Sequence, residues 1–234
     1  MTSNLTNWQP PILPNAQHLE GQYVRLEYLS AQDHATNLFN NFKGHDDVWL
    51  YLPDEPFREF EPFQQHIASL NNTPEQHYFY AIFDKETQKW GGFASYWTIQ
   101  PDAGSIELGY ISLSPTLQRT RAATEAFYLI MKWAFEAGYR RFEWKCDSRN
   151  MPSRRAAQRL GLSYEGIFRQ ASVVKGQNRD TAWFAAIDKE WSQLNAAFEQ
   201  WLSPANFTFD GRQLVRLSSL TAPVLVATDP ILIS

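Results

Sequence analysis

A single cysteine among 234 residues, Cys146, excludes an internal disulfide. The chain therefore carries no mark of an oxidising compartment. Long apolar runs are missing as well: nothing approaches the roughly 20 residues of a membrane span. The opening segment holds Pro10, Pro11, Pro14 and Glu20 without an apolar stretch, which does not fit a secretory signal. Basic residues are not in excess, since 21 Lys and Arg against 25 Asp and Glu leave −4. That balance argues against a general binder of nucleic acid or of anionic membranes. The five histidines (His18, His34, His45, His66, His77) are scattered. Their only cluster, His45-Asp46-Asp47, matches no common metal spacing, so no metal is expected. There are no internal repeats. Together these absences predict a soluble, cytoplasmic protein.

Aromatic residues, by contrast, are plentiful: 16 Phe, 10 Tyr and 9 Trp make up 15% of the chain. Such a share suggests a large core, a deep pocket, or both. A chain of this length can bury that core without a disulfide or metal staple. Charge is also unevenly spread. Between Gln118 and Leu160 lie ten basic residues and four acidic ones, a local +6 that leaves −10 elsewhere. A basic island in an acidic chain suggests a defined anionic ligand such as an oligophosphate; the plainer alternative is a solvated helix face with a few ion pairs.

Periodicity predicts a mixed α/β order. Residues 1–20 read as a Pro-rich arm. Tyr23–Tyr28 alternates as a strand, and Ser30 caps a helix over Ala31–Phe42. A short helix over Asp46–Tyr51 precedes the loop L-P-D-E-P-F and a helix over Phe60–Leu70. Three strands follow at Tyr78–Phe83, Trp90–Ile99 and Ser105–Leu113, joined by polar turns. A long helix over Ala122–Ala137 ends at Gly138. Next come a strand at Arg141–Lys145, a helix at Pro152–Leu160, strands at Glu165–Val174 and Asp180–Ile187 around the turn K-G-Q-N, and a helix at Lys189–Leu202. Residues 21–202 are expected to form one domain on a mostly antiparallel sheet of about seven strands flanked by helices. Residues 203–234 form an extension expected to pack on the domain or on a second copy in a homodimer.

The segment Ile106–Ala126 (I-E-L-G-Y-I-S-L-S-P-T-L-Q-R-T-R-A-A-T-E-A) runs from a buried strand through a loop into a helix. A helix start offers unpaired backbone N–H groups and a positive dipole end. Thr120, Ala122, Ala123 and Thr124 are small enough to let a phosphate approach that backbone, and Arg119 and Arg121 add charge.

This segment resembles the diphosphate loop of the GNAT superfamily of acyl-CoA-dependent N-acetyltransferases, whose pattern is Gln/Arg-x-x-Gly-x-Gly/Ala. Here it reads Gln118-Arg119-Thr120-Arg121-Ala122-Ala123. The final Ala fits, while Arg121 replaces the central Gly. In the first turn of a helix φ is negative, so an Arg is tolerated there if its side chain points away or onto the ligand. The opening A-T-E-A of the helix resembles the RimJ/RimL-type branch of ribosomal-protein N-acetyltransferases. So do Asn150-x-x-Ser153 followed by Arg159–Leu162, and the segment from Trp49 to Phe57.

The resemblance implies an enzyme that moves an acetyl group from acetyl-CoA to a primary amine by direct attack. The amine could belong to a protein N-terminus, a polyamine or another small molecule. The alternative is a non-catalytic acyl-CoA-binding module. By the same resemblance, Ile111, Ser112 and Leu113 would pair with pantetheine, and Gln118–Thr124 would hold the pyrophosphate. Glu107, on the strand before the loop, would be the general base, since an ammonium must lose a proton before it attacks a thioester. Its alternative is an edge carboxylate.

Asn150 would meet the pantetheine amides or simply cap its helix. Ser153 follows it, and Arg154 or Arg155 would meet the 3′-phosphate of CoA or face solvent. The family's tyrosine acid falls at Ala157, leaving Ser148, Ser153, Tyr164 or a water to protonate the thiolate. Cys146 lacks a neighbouring His and reads as a structural thiol. Trp49, Tyr51, Phe57, Phe60, Tyr80 and Trp97 are candidates for an acceptor groove, against core packing as the alternative.

Overall fold

A computed structural model describes residues 5–232 of the chain. Eight strands form one open sheet: β1 (His18–Glu20), β2 (Val24–Tyr28), β3 (Tyr78–Asp84), β4 (Lys89–Gln100), β5 (Ser105–Leu113), β6 (Arg141–Asp147), β7 (Ser163–Val174) and β8 (Gln177–Ile187). Their spatial order is β1-β2-β3-β4-β5-β6-β8-β7. Neighbours are antiparallel except at β5 and β6. Six helices accompany them: α1 (Ala31–Phe42), α2 (Phe60–Leu70), α3 (Arg121–Glu136), α4 (Met151–Arg159), α5 (Asp188–Leu202) and the short α6 (Leu217–Thr221).

Local chemistry sets these boundaries. The Ser30 hydroxyl accepts from Asp33 N at 3.3 Å and starts α1. The Thr120 hydroxyl does the same for α3 through Ala123 N at 3.0 Å. Beyond α3, Gly138 turns the chain at φ +98°, a conformation other residues reach only with strain. The β7–β8 turn is tighter than the four residues K-G-Q-N suggest. Lys175 and Gly176 both take positive φ, +50° and +72°, as a two-residue hairpin turn requires. β8 therefore starts three residues earlier than its alternation indicates, while β7 gains Ser163 and Tyr164 at its other end.

The sheet has two unlike faces. On one, α3, α4 and α5 bury a continuous apolar core that includes Tyr96, Ile106, Leu108, Ile130, Phe142 and Phe184. On the other, α1 and α2 cover only the β2–β4 half, through Phe39, Phe42, Phe63, Phe79 and Phe93. The β5-β6-β8 half of that second face carries charge instead.

The arm and the extension both pack on the sheet domain. The arm contributes an eighth strand, β1, which pairs with β2 through His18↔Glu27 and Glu20↔Arg25. The extension forms no strand among its described residues. It settles as α6 and short 3-10 turns against α4 and α5. Its anchor is Asp229, fully buried and bridged in two places by the Arg154 guanidinium at 2.7 Å.

Candidate active site

The parallel pair β5 and β6 is joined only through Ser105↔Arg141, Ile106↔Phe142 and Glu107↔Glu143. Past Glu107 the two strands part, and β5 runs on to Leu113 with no partner on that side. Its other neighbour, β4, skips two residues of β5, because the register jumps from Ser95↔Gly109 to Phe93↔Ser112. Tyr110 and Ile111 thus have no ladder partner on either strand. This is a bulge, and Tyr110 sits in it at φ +47°. Such a backbone costs a bulky residue about 1–3 kcal/mol and tends to be kept where a site needs it. Ile111 and Leu113 pack against the helix-covered core. Among the described residues the buried Ser112 hydroxyl has no partner.

Below the opening, the turn enters α3. Gln118 Nε2 donates to the Leu113 carbonyl at 3.0 Å and ties the turn to the strand end. Thr120 Oγ1 and the Thr120 carbonyl take the N–H groups of Ala123 and Thr124. Among the described residues, the N–H groups of Arg119, Arg121 and Ala122 find no protein acceptor. They are available to an anion at the positive end of a 16-residue helix.

Arg121 points away from them. Its guanidinium lies 4.7 Å from the ring centroids of both Tyr23 and Phe207 and pairs with Glu86 at 3.2 Å. Glu125, one turn on, is buried and accepts from the N–H groups of Gln22, Tyr23 and Val24 at 2.6–2.9 Å. A Cβ on Gly21 would lie 2.4 Å from that carboxyl carbon. The Glu of A-T-E-A thus clamps the start of β2 to α3.

Glu107 lies on the opposite face of the sheet. It is 5% exposed and receives the Lys145 ammonium at 2.9 Å. Lys145 also meets Glu143 at 2.8 Å and lies over the Trp183 ring at 4.1 Å. Arg141 continues the ladder from Glu143 at 2.7 Å to Glu165. Burial pushes the Glu107 carboxyl above its ordinary value, against the pull of Lys145.

At the β6–α4 corner several of the expected site residues already have protein partners. Asn150 Oδ1 accepts from Ser153 N at 3.1 Å and caps α4, and Ser153 Oγ accepts from Trp144 Nε1 at 2.9 Å. Arg154 is buried on Asp229 and the Ser148 carbonyl, so it is not available to a 3′-phosphate. Arg155 is exposed. Ser148 stands at the end of β6, on the rim of the opening. Tyr164 lies on β7, two strands beyond β6, with its ring 5.9 Å from the Arg154 guanidinium. Burial pushes the Cys146 thiol up to about 11, which suits a structural residue.

The basic island is mostly paired internally. Six of its ten cations hold carboxylates: Arg121, Lys132, Arg141, Lys145, Arg149 and Arg154. Arg159 is pressed between Thr124 Oγ1, at 3.2 Å, and the Trp201 ring, at 5.0 Å.

On the Glu107 side, a groove of about 380 Å³ runs between the 46–56 segment, the end of β6 and the β7–β8 turn. Tyr51 lines it and donates to the Arg149 carbonyl at 3.2 Å. Lys175 spans it to the Trp49 carbonyl at 2.9 Å and to Glu55 at 3.6 Å. The Trp49 ring is buried beneath, against Phe57 and Phe63. Trp97, opposite Glu107 on β4, is half-buried and stacks on His77 at 3.5 Å. Tyr80 is not on this face. It is fully buried in the helix-covered core and donates to the Ala16 carbonyl at 2.9 Å.

Three residues absent from the sequence-based set meet at the bulge: Asp54, His66 and Tyr110. Tyr110 Oη donates to Asp54 Oδ2 and lies 3.3 Å from His66 Nε2. They come from a loop, a helix and a strand, so no spacing in the sequence announces them. Tyr110 lies inside the strand predicted over Ser105–Leu113, and Asp54 inside the loop L-P-D-E-P-F.

These features have relatives. A model of the "Acetyltransferase (GNAT) domain" matches residues 24–163. A crystal structure of a GCN5-related N-acetyltransferase from Brucella melitensis is 41% identical, with a TM-score of 0.90 over 93% of this chain and 100% of that one. A probable GNAT-family acetyltransferase from Chromobacterium violaceum ATCC 12472 is 40% identical, with a TM-score of 0.77 over 82% and 96%. The uncharacterized N-acetyltransferase YnaD of Bacillus subtilis (strain 168) is 28% identical over 89 residues, 38% of this chain and 52% of its own length. The chain thus spans about half the length of that curated relative. With the family model covering more than half the chain, on the split strand pair and the free helix start described above, this protein belongs to the GNAT acetyltransferase family.

Proposed function

We propose that the protein transfers an acetyl group from acetyl-CoA to a primary amine by direct attack at the β5–β6 opening. The observation that carries this reading is the pairing of two features across one gap. A helix start with free N–H groups lies on one side, and a buried, ion-paired carboxylate on the other. The first suits a pyrophosphate, and the small Ala122 and Ala123 leave its approach clear. The second suits an ammonium that must shed a proton.

In this reading, the α3 turn holds the diphosphate, while Ile111, Ser112 and Leu113 run alongside the pantetheine arm. Arg155 is the cation left for a 3′-phosphate. Acetyl-CoA supplies an activated acyl group with a good leaving thiolate. Glu107 takes the proton of the acceptor, and Lys145 stabilises the carboxylate before transfer. The freed amine attacks the thioester carbonyl; a C–N bond forms, the C–S bond breaks, and the thiolate leaves with the electron pair. In this reading, backbone N–H groups of the bulge face the charge that develops on the carbonyl oxygen. Ser148, at the rim, or a water returns a proton to sulfur.

The acceptor enters by the groove between Tyr51 and the β7–β8 turn. A net charge of −10 outside the 118–160 segment favours a cationic guest, either a protein N-terminus or a polyamine. Membership of the RimJ/RimL-like branch rests on A-T-E-A and on N-x-x-S with R-L-G-L. Thiol release from acetyl-CoA, measured against peptides, polyamines and aminoglycosides, tests the proposal. Amine-dependent release is expected. CoA binding without release across the panel would favour a binding module instead.

A further inference from the structure

We infer that Tyr110, held at its phenol by Asp54 and His66, is a positioning residue that sets the β5 bulge to receive the acyl group. The inference rests on the acetyl-transfer reading. Tyr110 is the first of the two residues at which β5 has left both neighbours, three residues past its last pair with β6. Its positive φ is not a conformation that a tyrosine backbone favours by itself. Something must hold it, and the side chain shows what does.

The ring is wedged among Phe79, Trp97 and Phe93, with centroids 5.5–6.1 Å away. At its tip the phenol donates to Asp54 and faces His66 Nε2. Asp54 in turn lies 3.7 Å from His66 Nδ1, and His66 packs on Phe57 at 4.9 Å. Burial keeps the phenol protonated and keeps His66 neutral near pH 7. The phenol is therefore a lasting donor to Asp54. Asp54 belongs to the loop whose neighbours Tyr51, Glu55 and Pro56 wall the groove. The clamp thus joins the acceptor wall to the strand that would carry the thioester.

If the bulge N–H groups meet the acyl carbonyl, the unaltered chain binds acetyl-CoA more tightly than CoA. The expected margin is roughly fivefold, the net worth of one hydrogen bond. Calorimetric titration of both ligands into wild type and Tyr110→Phe reads it. The variant keeps the ring and loses the O–H. Its affinity for CoA should stay within twofold of wild type while the preference for acetyl-CoA disappears. Asp54→Ala, on a partly exposed loop, removes the same clamp from the other end and should give the same pattern if Tyr110→Phe does not fold. A preserved preference in the variants, or an equal loss of both affinities, would overturn the inference. So would a wild-type chain that binds both ligands equally. Failure of wild type to bind CoA at all would instead remove the acetyl-transfer reading beneath it.

Discussion

The two faces of the sheet, compared across the β5–β6 opening, are built by different rules. The helix-covered face is apolar and closed, and α3, α4, α5 and the extension seal it. The open half of the other face is a ladder of ions, Glu107-Lys145-Glu143-Arg141-Glu165, laid on Trp183 and walled by a groove. The closed face gives the backbone a rigid place to present N–H groups. The open face keeps charge partly desolvated, where it can handle a proton. Changes on the first should therefore cost stability, and changes on the second should cost turnover.

Arg154→Ala offers the largest effect. It strands Asp229 as a buried charge, and breaking such a pair costs about 3–5 kcal/mol. Chemical denaturation should show that loss. A change under 1 kcal/mol would mean that the extension is not sealed onto α4. Glu107→Gln should act on the other face alone. Turnover should fall about 100-fold or more, with the affinity for acetyl-CoA within twofold; unchanged turnover would move the base elsewhere.

The next effect is a pH dependence. Burial holds His34, His66 and His77 below their ordinary 6.5. The unfolded chain binds those protons more readily, so their contribution to stability is present above about pH 6.5 and is lost as pH falls below it. The thermal midpoint should be lower at pH 5.5 than at pH 7.5, and a flat profile would mean that the rings are accessible to protons in the fold. The smallest effect belongs to Arg155→Ala, an exposed cation. It should weaken CoA binding by roughly threefold, on the scale of one exposed ion pair, and leave dephospho-CoA unaffected. Equal weakening of both would remove the 3′-phosphate from its role.

The closed face was largely legible in the sequence. Helical spacing and the terminal Gly138 placed α3 to within one residue at each end, because an apolar stripe and a glycine stop are local signals. Arg121 could be reasoned into the loop, since a helix start has negative φ. The open face was not legible. Glu107 stood out, but Lys145 reaches it from a parallel strand 38 positions away. Asp54, His66 and Tyr110 meet only in three dimensions. The aromatics divided in the same way. Tyr80 and Trp97 each alternate within a strand, and only sheet pairing decides which face each one takes. The basic island misled for a related reason, since a count of charges does not see carboxylates such as Glu86 and Asp229 arriving from outside the segment.

Backbone hydrogen exchange, followed residue by residue as acetyl-CoA is added, tests the division of labour most directly. The account predicts slowed exchange at Arg121 and Ala122 and at Tyr110–Ser112, with residues 174–179 of the groove wall unchanged. Slowing confined to residues 174–179, with the α3 start unaffected, would contradict it.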